Sequence, residues 1–144
     1  MTIKLLASQI PQFWEAIKFA AIKADEVDEK HQQTYLNELL HALLSDKAQC
    51  FVQMDDSRML AGLMITRITV DKITGEKSIL LQALYVWQKI DSRVWTEAFG
   101  IIKEFASKEG CVYLTFTSRN PAIWERTTAL GFVEKTRVFT MNVG

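Results

Sequence analysis

Neither sign of charge prevails in this sequence, where 17 lysines and arginines cancel 17 aspartates and glutamates. That balance removes the global electrostatic argument for nucleic acid or an anionic membrane as a partner. Cysteine and histidine are scarce: Cys50 and Cys111, His31 and His41 are the whole complement. Four residues so scattered make no zinc centre, and no metal site is expected. Each cysteine opens an expected strand and reads as a small buried hydrophobe rather than half of a disulfide. His41 falls opposite the Leu36, Leu39, Leu40 and Leu43 face of a helix and reads as solvated. No apolar run approaches the ~20 residues needed to cross a bilayer. The opening MTIKLLASQIPQ lacks the basic start, long apolar stretch and cleavage site of an export signal, so a cytoplasmic protein is expected. Repeats, low-complexity tracts and linkers are also missing, and 144 residues is the size of one domain, 1–144, with a real core.

What is present is a dense succession of short elements. Residues 2–7 suit a short edge strand, Ser8 suits a helix N-cap, and Pro11 suits the first turn. Phe13, Trp14, Ile17, Ala20, Ala21 and Ala24 recur at helical spacing, and a second helix carries the leucine face beyond an acidic break at 25–29. From Ala48 the period changes. QCFVQM is a strand, DDSR a turn, LAGLMITRITV a longer strand, and DKITGEK a polar connection with Gly75 available for positive φ. SILLQALYV follows, apolar on both alternating faces except at Gln82, as in a central strand covered on both sides. A helix of roughly 17 residues, DSRVWTEAFGIIKEFASK, then leads to CVYLTFTS. By the crossover rule this makes Ser78–Val86 and Cys111–Thr117 parallel neighbours. A short helix closed by Gly131 and a final strand, VEKTRVFTMNV, complete a mixed α/β (α+β) sheet of about six strands with helices on both faces.

Gln82 admits two readings: a buried amide satisfied by neighbouring backbone, or a polar group lining a cleft. Trp95 and Trp124 lie on helix faces expected to pack on the sheet, while Trp87, at the end of the central strand, is placed to fill a cleft mouth. The junction Trp87 to Arg93 is where a strand end meets a helix N-terminus, the usual place for a phosphate-bearing ligand in an α/β protein.

The element order resembles that of the GNAT family of N-acetyltransferases over essentially the whole chain, most sharply at Asn120, Gly131 and Phe132. Asn120 would cap the helix and Gly131 take the left-handed position that ends it. The resemblance implies acetyl-CoA in the cleft where Ser78–Val86 and Cys111–Thr117 splay apart. Its arm would lie along the strand near Leu84 and Val86, and its phosphates near Gln88, Lys89 and Arg93, with Asn120 close by. It also implies a carboxylate base, for which Glu76 is the candidate, and a tyrosine acid at the position that here is Thr127. A threonine hydroxyl is a poor general acid. The cradle segment, Trp87-Gln88-Lys89-Ile90-Asp91-Ser92-Arg93, holds no glycine, and Asp91 or Ser92 reads as a helix cap.

The expectation is therefore a GNAT-like protein with a degenerate acetyl-CoA site and no cofactor. It would be non-catalytic and serve a binding or assembly role, with a protein partner or by self-association. SRNPAIWERTTALGF is similar to the corresponding stretch of small GNAT-like proteins of tailed bacteriophages, which implies virion association if the chain is phage-encoded. The alternative is a divergent N-acetyltransferase that uses acetyl-CoA on a small amine or a protein amine. A third reading, another acyl or nucleotide ligand in the same cleft, is weaker.

Overall fold

The computed structural model describes residues 1–118 and 121–144. The chain opens with an edge strand, β1 (Thr2–Lys4), and a 3-10 turn at Ala7–Gln9 that delivers it into α1 (Ile10–Asp25). The helix starts after Gln9, not at Ser8 as expected, because the chain first turns more tightly and Gln9 Oε1 accepts the Leu6 amide at 2.8 Å. Pro11 still occupies the first turn. Glu26, left-handed at φ 50°, closes α1. A second 3-10 turn, capped by Asp28, precedes α2 (Gln32–Leu44).

Three antiparallel strands follow: β2 (Ala48–Met54), β3 (Leu60–Val70) and β4 (Lys77–Val86). The turns between them are built by aspartate side chains. Asp55 accepts the amides of Ser57 and Met59, each at 2.9 Å, and Asp71 those of Ile73 at 2.8 Å and Thr74 at 3.0 Å. Gly75 takes the expected positive φ, 74°. The crossover helix α3 (Ser92–Lys108) spans the 17 residues anticipated and returns the chain to β5 (Cys111–Thr115), parallel to β4. The five strands lie in the order β1-β2-β3-β4-β5. No helix among the described residues is long and apolar enough to cross a membrane.

Each face of the sheet has its own core. Ile17, Ala20 and Ala21 of α1 and Leu39 and Leu43 of α2 pack with Cys50, Val52, Leu63, Ile65 and Ala83 on one side. Ile102 and Ala106 of α3 pack with Phe51, Met64 and Ile79 on the other. A bulge in β4 changes which alternate residues face each core. Ile65 pairs with Ala83 but Thr66 pairs with Leu81, which leaves Gln82 as the extra residue. Ile79 and Leu81 therefore join the α3 cluster, whereas Ala83 and Tyr85 join the α1–α2 cluster.

Three expectations are corrected. The β4 run is covered on both sides only in its first half: Leu84 and Val86 are 43% and 39% exposed, because β5 pairs no further than Leu80. Trp124 of α4 (Pro121–Ala129) does not pack on the sheet; it is half exposed, and its indole N–H donates to the Ser118 carbonyl at 2.8 Å. Residues 133–143 form no strand, so among the described residues the sheet has five strands, not about six. Alternating side chains mark which face a strand would bury, but the ladder itself must come from a neighbouring edge, and the free edge of β5 is only five residues long. Gly131, at φ 95°, does end α4 as expected.

Candidate functional site

The pairing of β4 with β5 runs from Lys77 opposite Cys111 to Leu80 opposite Thr115 and stops there. Beyond it β4 continues alone through Leu81–Val86, with no neighbour on that side among the described residues. This is the splay expected of the fold, and it leaves backbone donors and acceptors of β4 available to an extended, amide-bearing ligand. The apolar crevice between Leu84, Val86, Ile90, Val94 and Trp95 has a volume of only about 30 Å³. Side chains of α3 thus fill the space beside the strand end.

The junction after β4 is closed by its own residues. The Trp87 amide donates to the Ala61 carbonyl at 2.8 Å, and its ring stacks on Phe19 of α1, 6.3 Å away, and against Tyr85 at 5.1 Å. Trp87 therefore turns toward α1 and does not fill the cleft mouth, contrary to expectation. Gln88 Nε2 donates to Asp55 Oδ2 at 2.9 Å. That bond, with the Met59 amide, holds the Asp55 carboxyl below the usual carboxylate range. Ile90 folds back over the strand, and a Cβ at Gly62 would stand 3.0 Å from its Cδ1, so a larger residue there would need the Ile90 side chain to shift. Asp91, extended at φ −75° and ψ 165°, caps α3 through its Oδ1, which accepts the Val94 amide at 3.0 Å.

These residues do not fit a diphosphate cradle. A phosphate here would need the first-turn amides of α3. One of them is already bound by the Asp91 carboxylate, whose own charge would repel the ligand. Lys89 and Arg93 are exposed and have no ion-pair partner among the described residues; they supply the only positive charge of residues 87–93.

The other expected site residues are not gathered here. Leu84, Val86, Gln88, Lys89 and Arg93 do share the open end of β4. Glu76 lies in the hairpin at the opposite end, ten residues ahead of Val86. At ~3.3 Å per residue that is about 30 Å away. Thr127 is half-buried, and its hydroxyl donates to the Trp124 carbonyl of its own helix at 2.9 Å. Asn120 lies outside the described residues. Cys50 is fully buried, and burial pushes its thiol up to about 12, which leaves it inert as a nucleophile. The described residues contain no cluster of ligating side chains able to hold a metal ion.

One polar network was only partly visible in the sequence. At the β4 bulge, Gln82 Oε1 accepts from Arg67 Nε at 2.5 Å, and its Nε2 donates to Asp25 Oδ2 and Tyr35 Oη, each at 3.3 Å. The Tyr35 hydroxyl donates to Asp25. Arg67 meets Glu38 with both terminal nitrogens, at 2.7 and 2.6 Å. Burial, aided by the Asp25 carboxylate, raises the Tyr35 phenol well above its ordinary range, while the Arg67 guanidinium lowers the Glu38 carboxyl. Gln82 is thus satisfied by side chains rather than by backbone. The lone amide in an apolar strand was the visible signal; its partners lie on three other elements.

No family model matches the sequence, and no curated protein is significantly similar to it. Many solved structures are similar in fold. A probable acetyltransferase superposes with a TM-score of 0.73 at 12% identity, covering 100% of this chain and 98% of that one. The aminoglycoside N-acetyltransferase AAC(6')-Iy, solved with a CoA-based bisubstrate analogue, gives 0.70 at 18%, covering 100% and 97%. A ribosomal-protein-alanine N-acetyltransferase from Brucella melitensis biovar Abortus 2308 gives 0.67 at 13%, covering 99% of each. At these identities the likeness is one of fold: the chain has the α+β architecture of the GNAT acetyltransferases.

Proposed function

We propose that this chain is a GNAT-fold protein whose acetyl-CoA site has degenerated and which serves a binding or assembly role without catalysis. The observation that carries this reading is the Asp91 cap on α3, which puts a carboxylate where a diphosphate would have to sit. The commitment of Gln88 to Asp55 and of the Thr127 hydroxyl to its own helix supports it, as does the distance of Glu76 from the splay. In this reading the protein is cytoplasmic, or virion-associated if a bacteriophage encodes it.

A second reading rests on the open edge of β4 at Leu81–Val86, which retains the backbone groups an acetyl-CoA arm would use. It makes the chain a divergent N-acetyltransferase acting on a small amine or a protein amine. Calorimetric titration with acetyl-CoA separates the two. The degenerate site predicts no binding tighter than about millimolar, a free energy near −4 kcal/mol. Micromolar binding would overturn it, and replacing Lys89 or Arg93 with alanine should then weaken affinity at least about tenfold each, since hydrogen bonds to charged groups are worth ~1.5–3 kcal/mol.

A further inference from the structure

Residues 133–143 carry a run of strongly exposed apolar side chains. Val133, Val138, Phe139, Met141 and Val143 are between 76% and 98% exposed. The segment is anchored at its start, where the Phe132 ring packs on Phe116 at 5.0 Å and on Phe99 at 6.1 Å. Further on, Lys135 Nζ stands 5.0 Å over the Tyr113 ring. Phe132 beside Phe116 and Lys135 beside Tyr113 mean that the segment leaves antiparallel to β5. Continued at that stride, it reaches Cys111, the first residue of β5, at about Arg137. From Val138 onward the chain's own sheet offers no partner.

We infer that residues 138–142 pair antiparallel with the same residues of a second copy, across a two-fold axis at Thr140. The stretch VFTMNV carries no charge, proline or glycine, so two copies meet without repulsion or a break in the ladder. Arg137, the nearest charge, is held by Glu134 of its own chain at 2.7 Å. With Thr140 on the axis, Phe139 of each copy faces Met141 of the other, and Val138 faces Asn142. Both Phe139–Met141 pairs fall on one face, a favourable sulfur–aromatic arrangement. No other register about a single residue of this stretch opposes the two largest side chains. A ladder this short is small beside the ~800 Å² per partner of a standard interface, so association in the micromolar range is expected. The inference is independent of whether acetyl-CoA binds.

Sedimentation of the full chain from low to high micromolar concentration tests it. The mass should rise toward twice the 16.5 kDa of one chain. Phe139→Lys and Met141→Lys, at side chains each 87% exposed and so harmless to the fold, should each abolish the rise. Thr140→Cys in a Cys111→Ser background should form a disulfide-linked dimer under mild oxidation, because the two residues would face each other on the axis. A strict monomer at all concentrations, a dimer that survives Phe139→Lys, or a dimer without the Thr140→Cys cross-link would overturn the inference.

Discussion

Gln82 uses both ends of its amide: Arg67 donates to the oxygen, while the nitrogen donates to Asp25 and Tyr35. Replacing it with leucine keeps the volume and removes both functions, stranding a half-buried guanidinium N–H. Gln82→Leu should therefore cost about 1–3 kcal/mol, the penalty for an unsatisfied polar group. Urea denaturation would show this as a lower midpoint at unchanged slope. Two other residues set the response to alkali. Cys50 keeps its proton up to about 12 in the folded state because burial disfavours the thiolate, whereas in the unfolded chain it ionises near ~8.5. Between those values the unfolded state binds fewer protons, so stability is present below the lower value and falls as pH rises toward the upper. Tyr35 acts in the same sense above its ordinary pKa, since its phenol is also raised by burial. Cys50→Ala should flatten the decline above pH ~8.5 in a series of urea midpoints.

At the level of elements, α3 shows how far local rules reach. Its length and its capped start follow from amphipathic spacing and capping chemistry; both were legible, and the structure gives the cap to Asp91 rather than Ser92. Asp91→Ala should cost ~1 kcal/mol, the usual worth of an N-cap, read from the thermal midpoint. Where a neighbour decides, legibility fails. The segment 133–143 alternates as a strand does, yet pairing depends on an edge elsewhere, and β5 supplies only five residues. Ser8 is a good cap by composition, but the preceding turn winds as 3-10 and moves the helix start past it. The splay of β4 from β5 was anticipated from the family resemblance. The half-exposure of Leu84 and Val86 that follows from it was not, because an apolar run looks the same whether or not a second strand covers it.

At the scale of the whole molecule, the sequence order of strands and helices carried the architecture, since hairpins and one right-handed crossover leave few alternatives. It did not carry the Gln82 network, whose members come together only on folding: Asp25 and Gln82 are 57 residues apart in the chain. The β4 bulge binds that network to the two cores. Because Gln82 is the extra residue, the odd-numbered side chains before it serve one core and those after it serve the other. Among descendants of this chain, a one-residue deletion at position 82 would leave Ile79, Leu81, Ala83 and Tyr85 in their cores: with the extra residue gone, Leu81 and Ala83 become neighbours, and simple alternation sends neighbours to opposite faces. Its cost would be the amide that joins Arg67, Asp25 and Tyr35. A one-residue deletion at Leu80 or Leu84 is the larger change, because it would turn a member of the Ile79–Leu81 or Ala83–Tyr85 pair out of the core they share. Length variation should accumulate in the turns and, within this strand, at position 82 alone.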